Sequence, residues 1–294
     1  MRLLVSFLAL FGSAFAANEL PITGLAHTGF KVSDLEKARS YYSGVLGFRE
    51  AFDLRDSSAA VTAAFFKIND DQYVEITPGL KPDEVIRFTH AAFSTSDVEK
   101  LHRMLEARGL APAKIENGRD GNRSFRLRDP EQNELEFVQI MPGSLQTQAR
   151  GKYLDGRISG HLYHAGLAIT NLDAALAFYG DKLGFAEFWR GGPTDIYEKS
   201  VWFNMRTPGT RGDYVELMLH SGPQTRQQYG SMQHICLEVP DIQAGRKIAL
   251  ERGQYDAAKL EPRVGHNRKW QLNLFDPDGT RTELMEPNAQ PQTR

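Results

Sequence analysis

Two segments of this chain carry the same residue pattern, and this internal repeat is the strongest constraint on its fold. They read LAHTGFKVSDLEKARSYYSGVLGF (25–48) and LYHAGLAITNLDAALAFYGDKLGF (162–185). Each begins as a short apolar run with one histidine, continues with apolar residues at helical spacing, and closes with Leu-Gly-Phe. A short apolar run indicates a strand, and i, i+3, i+4 spacing indicates an amphipathic helix. The repeat therefore predicts a strand, a helix and a turn.

Local signals predict where the two helices begin and end. Ser33 with Glu36 forms a capping-box pattern before the first helix, and Asn171 is the candidate N-cap of the second. Gly47 and Gly184 stand where each helix would end in a left-handed residue.

The pattern restarts in the second part of each half. The segments RFTHAAFSTSDVEKLHRMLEARGL and MQHICLEVPDIQAGRKIALERG again predict a strand followed by a capped helix. Strand-like runs lie at 60–68, 72–77 and 214–219. We therefore predict an α+β fold of four βαβββ modules in two pairs. The predicted divisions are a signal peptide over 1–16, a lead over 17–24, a first domain over 25–142, a linker over 143–160, a second domain over 161–288 and a tail over 289–294.

The first sixteen residues have the three parts of a secretory signal peptide. Arg2 precedes an apolar stretch over 3–11, and Ala14-Phe15-Ala16 supplies the small residues of a cleavage site. The apolar stretch is too short to span a bilayer, and no later run reaches that length. We expect cleavage after Ala16 and a periplasmic or secreted protein.

Net charge and cysteine content limit the kinds of binding partner and of cross-link that this chain is expected to have. The formal net charge of -2 gives no reason to expect nucleic acid. The single cysteine, Cys236, cannot form an internal disulfide, so the core must hold an exported fold together. We expect a small-molecule substrate, no stable membrane span, and a monomer or homodimer.

Four polar positions recur in the same order in both halves, with a spacing that grows slightly, as loop insertions would cause. A carboxylate inside a curled sheet costs several kcal/mol unless its charge is compensated, and a divalent metal removes that cost. Histidine with carboxylate suits Zn, Ni, Fe, Mn or Co. We predict one such ion per active site. The matched pairs are His27 and His164, Glu75 and Glu216, His90 and His234, and Glu136 and Glu283.

With these residues the chain resembles the vicinal oxygen chelate (VOC) superfamily, which includes glyoxalase I, methylmalonyl-CoA epimerase, extradiol dioxygenases and bleomycin resistance proteins. The shared pattern is a His-x-Gly strand, a helix ending in Leu-Gly-Phe, a strand with a central Glu, a second His strand, and an Asp-Pro turn followed by Glu. The resemblance implies paired glyoxalase-like domains that form open cups, each holding one divalent metal that chelates adjacent substrate oxygens.

The resemblance leaves the grouping of the ligands open. Each domain can hold its own four. The alternative is a swapped grouping, similar to that of single-chain glyoxalases. In it, the first two ligands of one half bind the same ion as the last two ligands of the other half. The first two ligands are His27 and Glu75, or His164 and Glu216.

The C-terminal half carries further candidates. Strand alternation places His220 on the same face as Glu216. The segment VGHNRKWQLNLFDPDGTRTE resembles the extradiol dioxygenase signature, with His266 ahead of the Asp-Pro turn, but Asn273 replaces the signature tyrosine. The predicted catalytic residues are Glu283, His266 and His220, and the predicted substrate-binding residues are Arg268, Lys269 and Asn273.

Three functions compete on this sequence. Glyoxalase- or epimerase-like proton transfer uses four protein ligands, and Glu216 favours it, since one glutamate can leave the metal and act as base. Ring-cleaving dioxygenase chemistry uses two histidines and one carboxylate, which His220 and His266 favour and Asn273 disfavours. A non-catalytic binding protein of the resistance type needs fewer ligands. The expectation is a metal-dependent lyase or isomerase.

Overall fold

The computed structural model describes residues 19–194 and 196–291, and the predicted signal peptide lies outside them. Within these residues the chain forms two curled eight-stranded sheets with helices packed against them. Among the described helices, none is long and apolar enough to cross a membrane.

The first sheet contains two modules. Its strands lie in the order β2-β3-β4-β1-β5-β8-β7-β6, so the modules meet through the antiparallel pair β1 and β5. The first module consists of β1 (Ile22–Val32), α1 (Leu35–Arg39), β2 (Arg49–Arg55), β3 (Val61–Lys67) and β4 (Tyr73–Pro78). The second consists of β5 (Phe88–Thr95), α2 (Val98–Ala107), β6 (Glu116–Asn117), β7 (Arg123–Arg128) and β8 (Glu134–Gln139).

The second sheet repeats this plan after a connection that contains α3 (Leu145–Gln148). Its strand order is β10-β11-β12-β9-β13-β16-β15-β14. The third module consists of β9 (Leu162–Ile169), α4 (Leu172–Leu176), β10 (Ala186–Gly191), β11 (Trp202–Arg206) and β12 (Tyr214–Leu219). The fourth consists of α5 (Arg226–Met232), β13 (Ile235–Glu238), α6 (Ile242–Arg252), β14 (Arg263–Val264), β15 (Trp270–Phe275) and β16 (Arg281–Met285). The predicted fold of four βαβββ modules in two pairs is confirmed.

The helix signals were mostly correct. Asn171 caps α4 and Gly47 and Gly184 both have a φ of +73°, as predicted. Both α1 and α4 continue into a π-helical turn before these glycines. The prediction that Ser33 caps α1 was wrong, because the N-cap is Asp34, whose side chain accepts from the amide of the third helical residue. The Ser33 amide instead donates to Asp278, in the turn between β15 and β16.

A pair of matching hydrogen bonds joins the two halves. The Tyr42 hydroxyl, in the turn that continues α1, donates to Asp276 Oδ2 at 3.2 Å. The Tyr179 hydroxyl, at the same place after α4, donates to Asp129 Oδ2 at 2.9 Å. Each half therefore packs its first helix against the Asp-Pro turn of the other half.

Candidate metal centres and active site

The recurring histidines and glutamates come from the four central strands of each sheet. In the first sheet these are β4, β1, β5 and β8, which are neighbours in that order. The second sheet supplies the matching positions, with His234 immediately before β13. The N-terminal cluster is His27, Glu75, His90 and Glu136, and the C-terminal cluster is His164, Glu216, His234 and Glu283.

The C-terminal cluster brings four donor atoms together. The Nε2 atoms of His164 and His234 lie 3.0 Å apart. Glu283 Oε2 lies 3.5 and 3.3 Å from them, and Glu216 Oε2 lies 3.8 and 3.6 Å from them. One donor atom from each residue lies within 4.8 Å of all the others. Both histidines are fully buried, whereas the Glu216 side chain is 12% exposed.

The N-terminal cluster has similar distances. The Nε2 atoms of His27 and His90 lie 2.9 Å apart. Glu75 Oε2 is 3.4 Å from each of them, and Glu136 Oε2 is 3.6 Å from the first and 3.4 Å from the second. One donor atom from each of His27, Glu75 and His90 lies within 4.8 Å of the others, and Glu136 contacts both histidines without joining that group.

Each cluster forms within one sheet, because β1 pairs with β5 and β9 pairs with β13. The structure does not form the swapped grouping, in which ligands of the two halves would meet.

The donors fit a divalent ion. Two ligands about 2.1 Å from a common ion and at right angles to each other lie about 3.0 Å apart, as the paired Nε2 atoms do in both clusters. In the C-terminal cluster the Nδ1 atom of His234 lies 2.9 Å from the Met232 carbonyl. That contact favours a proton on Nδ1 and leaves the Nε2 lone pair directed at the cluster.

Electrostatics differ between the clusters, and the C-terminal one holds a neutral histidine. Burial, assisted by the Arg281 charge, lowers the pKa of His234 to about 3. Burial and the Glu283 charge raise the pKa of Glu216, although His164 opposes them. The pKa of Glu283 is held well below its usual range, because Arg281 and the two histidines outweigh its burial.

In the N-terminal cluster, by contrast, His27 is held as a cation. Burial alone would lower the pKa of His27, but Glu136 and Glu75 outweigh it and raise the pKa to about 9. The pKa of each glutamate is lowered in turn, since the histidine charges outweigh its burial. A metal must displace this proton from His27 to bind there.

Arg281 is a site residue that was missed in the sequence. Its Nη2 atom lies 3.0 Å from Nδ1 and 2.8 Å from Nε2 of His234. An atom this close to both ring nitrogens lies over the face of the ring, because in the ring plane it would collide with Cε1. Nη2 therefore lies over the face of the imidazole and leaves the in-plane lone pair of Nε2 accessible. Arg281 stands two residues before Glu283 on β16, and residues two apart on a strand face the same side, so this spacing could have indicated that Arg281 belongs to the site.

A cavity of about 320 Å³ opens above the C-terminal cluster. Both glutamates of the cluster line it, together with residues from β10 to β12 on one side and β14 to β16 on the other. Opposite the two glutamates in strand register stand Asn204 and Asn273, whose Oδ1 atoms are buried without a hydrogen-bond partner. The other lining residues are Trp189, Pro193, Trp202, Met218, Arg263, Val264, Gly265, His266, Asn267, Gln271 and Arg281.

The surroundings of the N-terminal cluster differ from those of the C-terminal one. Phe65 stands opposite Glu75 in register, stacks on Phe52 at 4.6 Å and lies 5.9 Å from the His27 ring. Arg119 corresponds to His266 and donates to the Arg55 carbonyl and the Thr62 hydroxyl, which joins the β6–β7 loop to the β2–β3 hairpin. Phe65 thus stands where the C-terminal half has Asn204, and the side chains of His27 and Glu75 remain 12% and 15% exposed.

The remaining predicted site residues are divided between the cavity and its surroundings. His266 lines the cavity, and Asn273 lies behind it opposite Glu283. His220 follows the end of β12, and its Nδ1 lies 3.0 Å from the Gly222 carbonyl, outside the cavity lining.

Arg268 and Lys269, the two cations predicted to bind substrate, are directed away from the cavity. The Arg268 guanidinium donates to the Gln290 carbonyl, and Lys269 Nζ donates to the Tyr163 hydroxyl at 2.8 Å. Neither residue lines the cavity.

Comparison with known proteins agrees with this geometry. Among curated proteins, the chain is 32% identical over 124 residues to the ethylmalonyl-CoA/methylmalonyl-CoA epimerase of Cereibacter sphaeroides, which covers 40% of this chain and 90% of the relative. Among solved structures, the 2,3-dioxygenase LapB from Pseudomonas sp. KL28 aligns with a TM-score of 0.65 and 17% identity, over 92% of this chain and 95% of that one.

Homoprotocatechuate 2,3-dioxygenase from Brevibacterium fuscum, in complex with 3,4-dihydroxyphenylacetate, aligns with a TM-score of 0.64 and 20% identity, over 91% of this chain and 82% of that one. These two likenesses establish the fold. The model of the Glyoxalase/Bleomycin resistance protein/Dioxygenase superfamily matches residues 24–137 and 161–284, one in each half. The chain therefore belongs to that superfamily.

Proposed function

We propose that the C-terminal cluster is the active site of a divalent-metal-dependent lyase or isomerase that moves a proton on a substrate with two adjacent oxygens. The supporting observation is a set of four donor residues facing an accessible cavity. Proton-transfer chemistry of this kind uses four protein ligands, and the similarity to an epimerase points the same way.

A divalent ion held by the four residues would stabilise negative charge on a substrate carbonyl oxygen and so acidify the neighbouring C–H. Glu216 is the residue that takes this proton, because it lines the cavity and is more exposed than Glu283. The proton returns to the same carbon or to its neighbour, so the reaction needs no further reactant. His266, on the cavity wall, can deliver or accept a proton on the other side.

Proton exchange tests this function. Metal-loaded protein in D₂O is incubated with hydroxycarbonyl compounds and with methylmalonyl-CoA, and loss of the C–H signal is followed by NMR. Glu216→Gln is expected to slow exchange at least 100-fold, the usual range for removal of a general base. Glu75→Gln, the same change in the N-terminal cluster, should slow it far less. Equal rates in wild type and Glu216→Gln would refute the proposal.

Extradiol ring cleavage is the second candidate, favoured by the fold shared with two dioxygenases. Glu216 as a fourth donor and Asn273 in place of the signature tyrosine weigh against it. An oxygen electrode separates the two functions: iron-loaded protein with catechols should consume no oxygen. A protein that binds such compounds without exchange or oxygen uptake would instead be a binding protein of the resistance type.

Export is a separate part of the proposal and rests on the sequence of residues 1–16. N-terminal sequencing of the protein from its native host should give Ala17 as the first residue. Intact Met1 on cytoplasmic protein would contradict export.

A further inference from the structure

The charges around the cavity are unequal. Its acidic lining residues are the two glutamates of the C-terminal cluster, and its basic ones include Arg263 and Arg281. A divalent ion on the cluster would balance the two carboxylates. The two guanidiniums would then give the cavity a net positive charge and favour an anionic ligand.

Arg281 forms a long ion pair with the C-terminal cluster. Its Nη2 lies 3.9 Å from Glu216 Oε2, too far for a hydrogen bond, and its Nε is buried without a hydrogen-bond partner. The side chain is only 14% exposed; Nη2 contacts the His234 ring, but a buried Nε–H without an acceptor is costly.

In the N-terminal half, the residue at the position of Arg281 forms ion pairs with other side chains of the protein. There Glu134 takes the place of Arg281, two residues before the cluster glutamate, and it pairs with Arg126 and Arg128. The C-terminal half has the cation without such a carboxylate. A ligand that supplies one would complete a charge-assisted contact.

The rest of the cavity wall is apolar. Trp189, Trp202, Met218 and Val264 supply two indoles and two aliphatic surfaces. A cavity of about 320 Å³ suits a small molecule. Resting on the C-terminal cluster as the active site, we propose that the substrate is a small carboxylic acid with an apolar or aromatic body, whose carboxylate is bound by Arg281.

Equilibrium binding to metal-loaded protein tests this, with tryptophan fluorescence and calorimetry as readouts. The probes are mandelate and phenylpyruvate, their methyl esters, and inorganic phosphate. At least one acid should bind ten-fold or more tightly than its ester, and phosphate alone should bind weakly. Arg281→Met should weaken binding of that acid 10- to 100-fold and leave the ester unchanged. Arg128→Met, which removes an equal charge from the N-terminal half, should change neither.

The outcomes separate substrate class from reaction. Acids that bind no better than their esters, or phosphate that binds as well as the acids, would overturn the proposal. A loss of metal in Arg281→Met, measured by elemental analysis, would also overturn it by showing that the residue serves the cluster. Because binding and proton exchange are separate readouts, a normal Arg281 effect alongside unchanged exchange in Glu216→Gln would refute only the proposed reaction.

Discussion

The residues opposite the cluster glutamates distinguish the two halves. In the C-terminal half both partners are asparagines, which leave space and two buried amide oxygens beside the donors. In the N-terminal half the partners are Phe65 and Arg126, one filling the space and the other adding a charge near Glu136. The two donor sets therefore have different surroundings, and we expect turnover at the C-terminal one, whose two glutamates line a cavity.

His266 should affect catalysis without affecting metal binding, because it lines the cavity but contributes no donor to the cluster. His266→Ala is expected to lower kcat at least ten-fold while metal content stays within error. Glu283→Gln should lower both. Rates on the true substrate and elemental analysis provide the measurements.

The matched control is Arg119→Ala, at the corresponding position of the N-terminal half, where the side chain bonds to the hairpin. It should leave kcat unchanged. An unchanged rate in His266→Ala together with a dead Glu136→Gln variant would show that the functional half has been misassigned.

Side-chain direction limits what the sequence could reveal about the site. Register between the repeats selected eight residues, seven of which the structure brings into two groups of possible metal donors. Alternation from Glu216 predicted His220 on the same face, but β12 ends at Leu219, and the His220 amide instead donates to the Ile169 carbonyl. Arg268 and Lys269 were judged by charge alone, and neighbouring acceptors direct both away from the cavity.

At the level of the strands, a glycine two residues after each first histidine makes the cluster possible. A Cβ on Gly166 would collide with the His234 ring and the Met232 carbonyl. A Cβ on Gly29 would collide with Thr89 and the His90 ring. The His-x-Gly pattern on β1 and β9 thus lets the second histidine lie against the neighbouring backbone.

Gly166→Ala should therefore displace His234 and reduce metal binding at the C-terminal cluster. We expect the metal affinity there to fall at least ten-fold and proton exchange to fall with it. Gly29→Ala is the matched change and should affect only the N-terminal cluster. Calorimetric metal titration of both variants measures this, and unchanged titrations would contradict the role given to the glycines.

Strand and helix positions were predictable because the apolar spacing is strong and occurs four times. The grouping of the cluster residues was not, since apolar periodicity identifies the buried face but not the strand that lies beside it. Only the structure showed that β1 pairs with β5, which puts each cluster within one sheet. The helix cap was misplaced by one residue, because the Ser33 amide is used by Asp278 across the domain boundary.

Across the whole molecule, the two halves are joined by buried carboxylates in their Asp-Pro turns. Asp276 is 4% exposed and accepts from the Tyr42 hydroxyl and from the amides of Asp278 and Thr280. Burial raises its pKa to about 6, since the hydrogen bonds only partly offset the loss of hydration. Asp129 occupies the equivalent place and its pKa is also raised by burial.

This carboxyl should make stability depend on pH. The folded protein keeps the Asp276 proton up to about pH 6, whereas the unfolded chain loses it near its ordinary pKa of 3.8. The folded state therefore binds more protons between these values, and the free energy of unfolding falls as pH rises from about 4 to 6. The contribution of this group is on the order of 3 kcal/mol. Asp276→Asn keeps an oxygen that can accept from the backbone amides but has no titratable proton, so it should remove this part of the pH dependence.

Urea unfolding at pH 4 and pH 7 measures the effect. The difference in unfolding free energy between the two pH values should be smaller for Asp276→Asn than for wild type. Tyr42→Phe removes the donor that stabilises the carboxylate, so it should raise the pKa of Asp276 further and steepen the loss of stability with pH. The opposite sign in Tyr42→Phe, or equal pH dependence in Asp276→Asn and wild type, would mean that this contact between the halves does not carry the buried proton.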